Sequence, residues 1–90
     1  MRTYTVLLEY DPEVRAYGIR VPALPGCYSQ GGSVEEALIN ATEAIRGHIA
    51  ALEQLGTVAP EESADVAGDA LAAMAPVQAH APVLLSRVAA

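Results

Sequence analysis

The sequence predicts an α+β fold: a three- to four-stranded, mainly antiparallel sheet with one long helix on a face, in the order β-β-β-α-β. Three observations carry this prediction. Residues 3–30 fall into short runs of strand-like alternation divided by turn chemistry. A Ser-x-x-Glu signal at Ser33–Glu36 then opens a stretch whose apolar residues recur every three or four positions. A last run, Val83–Val88, has strand composition again.

From Thr3 to Tyr10, Tyr4, Val6, Leu8 and Tyr10 fall on one face and Thr3, Thr5, Leu7 and Glu9 on the other, the period-two pattern of a half-buried strand. Asp11, Pro12 and Glu13 interrupt it, because proline presets φ and an aspartate side chain hydrogen-bonds the backbone that follows. In the second strand, Tyr17, Ile19 and Val21 face one way and Ala16, Gly18 and Arg20 the other. The two strands are expected to pair as an antiparallel hairpin. Pro22-Ala23-Leu24-Pro25-Gly26 cannot continue a ladder, since two prolines lack N–H donors and Gly26 readily takes positive φ. Cys27 to Gln30 reads as a short third strand, after which Gly31-Gly32 is expected to turn the chain sharply.

In the capping box, the Ser33 hydroxyl accepts from the Glu36 backbone N–H while the Glu36 side chain reaches back. The helix is predicted from Val34 to Leu55, with Val34, Leu38, Ala41, Ile45, Ile49, Leu52 and Leu55 as its sheet-facing stripe, Glu36, Asn40, Glu43 and Gln54 on the opposite side, and Gly56 as a left-handed cap. This divides the chain into a 1–56 core and a 57–90 extension rich in Ala, Pro and acids. Within the extension, Ala64–Met74 has the composition of a weak short helix, and Val83–Val88 that of an edge strand, bounded by Pro76 and Pro82.

Composition narrows the function classes. A chain of 90 residues buries a thin core and gains from a partner, so a homo-oligomer is expected. Apolar residues make up 52%, but Phe and Trp are absent, which leaves Tyr4, Tyr10, Tyr17 and Tyr28 as the aromatics. The net charge of −6, with Arg2, Arg15, Arg20, Arg46 and Arg87 the sole strong bases, opposes direct binding to nucleic acid and suits a basic protein partner. Cys27 is the single cysteine, which excludes an intramolecular disulfide and fits a reducing compartment. The N-terminal residues lack a signal-peptide apolar stretch, and no apolar run approaches a membrane span. The expectation is a cytoplasmic protein without membrane association.

The run Val21-Pro22-Ala23-Leu24-Pro25-Gly26-Cys27-Tyr28-Ser29-Gln30-Gly31, followed by Ser33-Val34-Glu35-Glu36-Ala37-Leu38 and Asn40-Ala41, resembles the signature of HicB-like proteins. In that family a strand ends in Pro-x-Leu-Pro-Gly-Cys and a Gly-Ser/Thr-x-Glu-Glu-Ala segment opens the helix. The likeness covers Tyr4 to about Leu55 and marks Pro22, Leu24, Pro25, Gly26, Cys27, Gly31, Ser33 and Glu36 as family-motif positions with structural roles. It implies a partial RNase H-like fold without the nuclease's catalytic carboxylates, acting as an antitoxin that neutralises a small basic RNA-cleaving toxin, HicA. Longer members carry a C-terminal DNA-binding module. Residues 57–90 hold one arginine and no lysine, so this chain is more similar to the short, solitary members.

No catalytic residue, metal or cofactor is expected. Cys27 with His48 as base lacks an orienting third group, His48 and His80 are too few and too far apart for a metal motif, and the glycines match no phosphate-loop pattern. An active nuclease would need an acidic cluster, and Glu9 is the one acid on the first three strands. The leading reading is therefore a non-enzymatic antitoxin-type domain that sequesters a HicA-like toxin, with Glu35, Glu36 and Glu43 as candidate contacts to its basic surface. The alternatives are an orphan homo-oligomeric domain that binds another protein or ligand, and a small hydrolase.

Overall fold

A computed structural model describes residues 2–62 and 83–90. The elements are β1 (Thr3–Asp11), β2 (Ala16–Arg20), β3 (Tyr28–Gly31), α1 (Val34–Gln54) and β4 (Val83–Ala89). They form one four-stranded sheet in the order β3-β2-β1-β4, with every pairing antiparallel. This is the α+β arrangement expected, and its order is compatible with a partial RNase H-like outline. The predicted short helix at Ala64–Met74 lies outside the described residues, as does His80. Among the described residues, no helix is long and apolar enough to cross a membrane.

The β1–β2 hairpin forms where the alternation places it, in a register that runs from Leu7↔Arg20 to Asp11↔Ala16. Its turn uses the chemistry of Asp11, whose Oδ1 accepts from the Glu13 N–H at 2.9 Å. The turn closes with Arg15 at φ 53, a left-handed residue that is not glycine.

One side of the sheet meets α1. Tyr4, Val6 and Leu8 from β1, Ile19 from β2, Val88 from β4, and Ala37, Ala41 and Ile45 from the helix share one core with Val21, Leu24 and Cys27 of the loop between β2 and β3. The helix packs chiefly along β3. β1 departs from the half-buried expectation, because Thr5 and Leu7 on its other face are buried too. It is a central strand, and residues 59–62 return against it: Ala59 is buried, the Tyr4 hydroxyl donates to the Pro60 carbonyl at 2.7 Å, and Glu62 reaches Thr5.

Glu62 fills a gap in the ladder. Arg2 and Ala90 exchange both backbone bonds, so even-numbered β1 residues bond β4 and odd ones point towards β2. β2 pairs only from Leu7 onward, which leaves the Thr5 N–H without a strand partner. The Glu62 carboxylate accepts that N–H at 2.6 Å and the Thr5 hydroxyl at 2.7 Å, with Arg87 Nη1 at 3.4 Å.

The helix ends at Gln54, with Leu55 as its cap residue rather than a member of the buried stripe; Leu55 is 80% exposed. Gly56 has φ 77, its N–H donates to the Glu53 carbonyl, and the Thr57 N–H donates to the Leu52 carbonyl. This is a Schellman closure.

Candidate functional site

The loop from Val21 to Cys27 is held by its own backbone: Leu24 N–H donates to the Val21 carbonyl, Cys27 N–H to the Leu24 carbonyl, and Val21 N–H to the Cys27 carbonyl. Leu24 and Cys27 plug the core from this loop, whereas Pro25 and Gly26 lie exposed on its crest and Pro22 is half-buried. Gly26 takes φ 87, the left-handed turn its position predicts. A Cβ there would lie 3.9 Å from His48 Cε1, so the fold does bring His48 beside the loop. Burial pushes the Cys27 thiol pKa up, however, which favours the neutral thiol over the nucleophilic thiolate.

Gly31 differs from its expected role. It closes β3 without positive φ, and a Cβ on it would sit 2.6 Å from Ala37 Cα and 2.8 Å from the Glu36 carbonyl carbon. Glycine is required there because helix backbone rests directly on the strand. The start of α1 follows the capping box with one change. The Glu36 N–H donates to Ser33 Oγ at 3.1 Å, while Glu36 Oε1 accepts from Gly32 N–H at 3.2 Å rather than from the Ser33 N–H.

The outer side of the helix carries Glu35, Glu36 and Glu43, all exposed. Ile39 stands among them, 56% exposed, four residues from Glu35 and Glu43 and three from Glu36, so the four side chains share one face. Asn40, expected to be solvated, instead donates from Nδ2 to the Gln30 carbonyl at 2.8 Å and ties the helix to β3. Beside it lies a shallow depression of about 480 Å³, lined by Val14, Ala16, Gln30, Gly32, Glu36 and Asn40. Val14 is 67% exposed at its rim. Such a surface, apolar spots ringed by carboxylates, can bind a basic protein. Among the described residues, no group of three His, Cys, Asp or Glu side chains converges to hold a metal.

Sequence reasoning missed Ile39 and Val14, and the signal for Ile39 was present: it sits one position off the stripe Val34, Leu38, Ala41, Ile45.

Residues 4–79 match the family model described as HicB_like antitoxin of bacterial toxin-antitoxin system. A UPF0150 protein of Thermoplasma acidophilum is 45% identical over 62 residues, which cover 69% of this chain and 88% of that protein. The crystal structure of the Burkholderia pseudomallei antitoxin HicB superposes with a TM-score of 0.73 at 29% identity; the match takes in 100% of this chain but only 64% of that one. The fold is also that of a chain in the solved HicA3 and HicB3 toxin-antitoxin complex, with a TM-score of 0.73 at 22% identity and coverage of 97% and 95%. With its sequence motif, its strand order and these likenesses in agreement, the chain belongs to the HicB-like antitoxin family of bacterial toxin-antitoxin systems.

Proposed function

We propose that this chain is a non-enzymatic, cytoplasmic antitoxin domain that binds and covers a small, basic, HicA-like ribonuclease toxin. Family membership supports the class of function, and the observation that carries the mode of action is the outer face of α1, where Ile39 is exposed among Glu35, Glu36 and Glu43. An exposed apolar anchor within a carboxylate ring suits a basic RNA-binding surface: the acids attract it and the isoleucine is buried on contact. Inhibition needs only steric cover of the toxin's active site.

The motif positions Pro22, Leu24, Pro25, Gly26, Cys27, Gly31 and Ser33 act in this reading as scaffold, holding the start of α1 on the sheet. Glu36 serves both as cap and as contact. The 57–90 segment is an extension of the 1–56 core, tied to it through the Glu62 bonds to Thr5 and the pairing of β4 with β1. With no lysine and one arginine, it does not bind DNA directly. The domain works as a homo-oligomer.

The test is co-purification of the tagged chain from its native cells, followed by an RNA-cleavage assay on the small basic protein recovered with it. The intact chain should abolish cleavage. The variant Glu35→Lys, Ile39→Asp, Glu43→Lys should retain its fold by circular dichroism yet inhibit at least about tenfold less well, since opposed charges and a lost anchor each cost about 1 kcal/mol or more. Full inhibition by that variant would move the contact surface elsewhere. Failure to recover any RNA-cleaving partner would remove the toxin from the reading.

A further inference from the structure

The two edges of the sheet are managed differently. β3 is four residues long, and the helix side chain of Asn40 occupies the outward carbonyl of Gln30 at 2.8 Å. β4 is seven residues long and has no such cover among the described residues. The exchanged bonds between Arg2 and Ala90 fix its parity. Leu84, Ser86 and Val88 bond β1, and Val83, Leu85, Arg87 and Ala89 turn their N–H and C=O groups outward. The strand contains no proline, no lysine and no carboxylate, the usual means by which an exposed edge is kept from pairing.

We propose that this edge pairs with the same edge of a second copy, antiparallel about a two-fold axis through Ser86, to give a continuous eight-stranded sheet. The inference deepens the self-association in the reading above and rests on it. Three features favour a second copy as the occupant. The register centred on Ser86 sets Val83 opposite Ala89 and Leu85 opposite Arg87, so outward groups meet outward groups along the whole strand and every one of them is satisfied. The single charged residue of β4 then lies beside a leucine instead of its own copy, which avoids a like-charge pair. Finally, in a chain of net charge −6, β4 offers an approach without an acid of its own.

The experiment combines mass with two local readouts on the full chain. Light scattering over a concentration series should give a dimer or an even multiple, and amide exchange should show the Leu85 and Arg87 N–H groups protected in step with dimer formation. Ser86 faces its own copy at a non-hydrogen-bonded site, where Cα atoms are about 4.5 Å apart, within the span of a disulfide. Ser86→Cys in a Cys27→Ala background should therefore oxidise to a covalent dimer, whereas Val14→Cys in the same background should not. A dimer whose Leu85 and Arg87 amides exchange freely and whose Ser86→Cys variant stays uncrosslinked overturns this interface and leaves self-association standing. A monomer at every concentration overturns both, and leaves toxin binding to its own test.

Discussion

Replacing Glu62 with alanine tests whether one side chain substitutes for a missing strand. The Thr5 N–H belongs to a residue 1% exposed and would lose its acceptor at 2.6 Å. An orphaned buried donor costs about 1–3 kcal/mol, and the hydroxyl bond to the same carboxylate adds about 1 kcal/mol. The Arg87 partner is 60% exposed, so its share is at most a few tenths, roughly 0.3 kcal/mol. Truncation also relieves the desolvation of a carboxylate whose side chain is 8% exposed. The expected net loss is about 2–3 kcal/mol, equivalent to a fall in Tm of about 10–20 °C for a domain this size. Urea unfolding followed by circular dichroism, at one fixed chain concentration, measures it. Arg87→Ala should stay within about 0.5 kcal/mol of the parent, and amide exchange should show the Thr5 N–H deprotected in Glu62→Ala alone. A loss below about 0.5 kcal/mol with Thr5 still protected would refute the reasoning, because another group would then be serving that donor.

Gly31→Ala should cost about 2–3 kcal/mol, since its Cβ meets helix backbone that cannot rotate away, whereas Gly32→Ala, with open space around it, should cost well under half as much in the same urea assay. Gly26→Val should lower thermal stability by about 1–3 kcal/mol, because a β-branched residue is strained at φ 87; an unchanged Tm would show the loop adopting another turn. The Cys27 thiol should react with a thiol reagent far more slowly in the native protein than in urea at pH 8. Its pKa is raised on folding by burial, so its contribution to stability is complete below the ordinary thiol pKa of about 8.5 and declines as pH rises through the folded value. Native labelling as fast as in urea would contradict the burial.

Much of this architecture could be read in the chain because its signals are local. The hairpin follows from alternation around Asp11 and Pro12, the helix start from Ser33 and Glu36, and its end from Gly56, each a matter of a few adjacent residues. The structure departs from those expectations where distant segments meet. Thr5 looks solvent-facing until Glu62 reaches it, and Gly31 looks like a turn glycine until the backbone of Ala37 comes down on it. Arg15 gives no warning of its left-handed φ, which the hairpin geometry imposes. The candidate surface was half legible: the exposed acids follow from helix phase, but the exposure of Val14 and the capture of Gln30 by Asn40 depend on how the hairpin, β3 and α1 are set side by side.

The pairing of β1 with β4 also bears on how the domain is made. Tyr4 and Val88 are opposite one another, so the inner flank of the sheet is completed by residues from near opposite ends of the sequence. During synthesis, β1, β2, β3 and α1 emerge and can dock while one side of β1 still lacks its neighbour; that side closes only when residues 83–89 have left the ribosome. Closing a loop of this span makes assembly slower than hairpin or helix formation, and until then the future centre of the sheet is an open edge. A nascent chain stalled before β4 would therefore present the N–H and C=O groups of even-numbered β1 residues without strand partners, and the docking of residues 83–89 is the step that satisfies them.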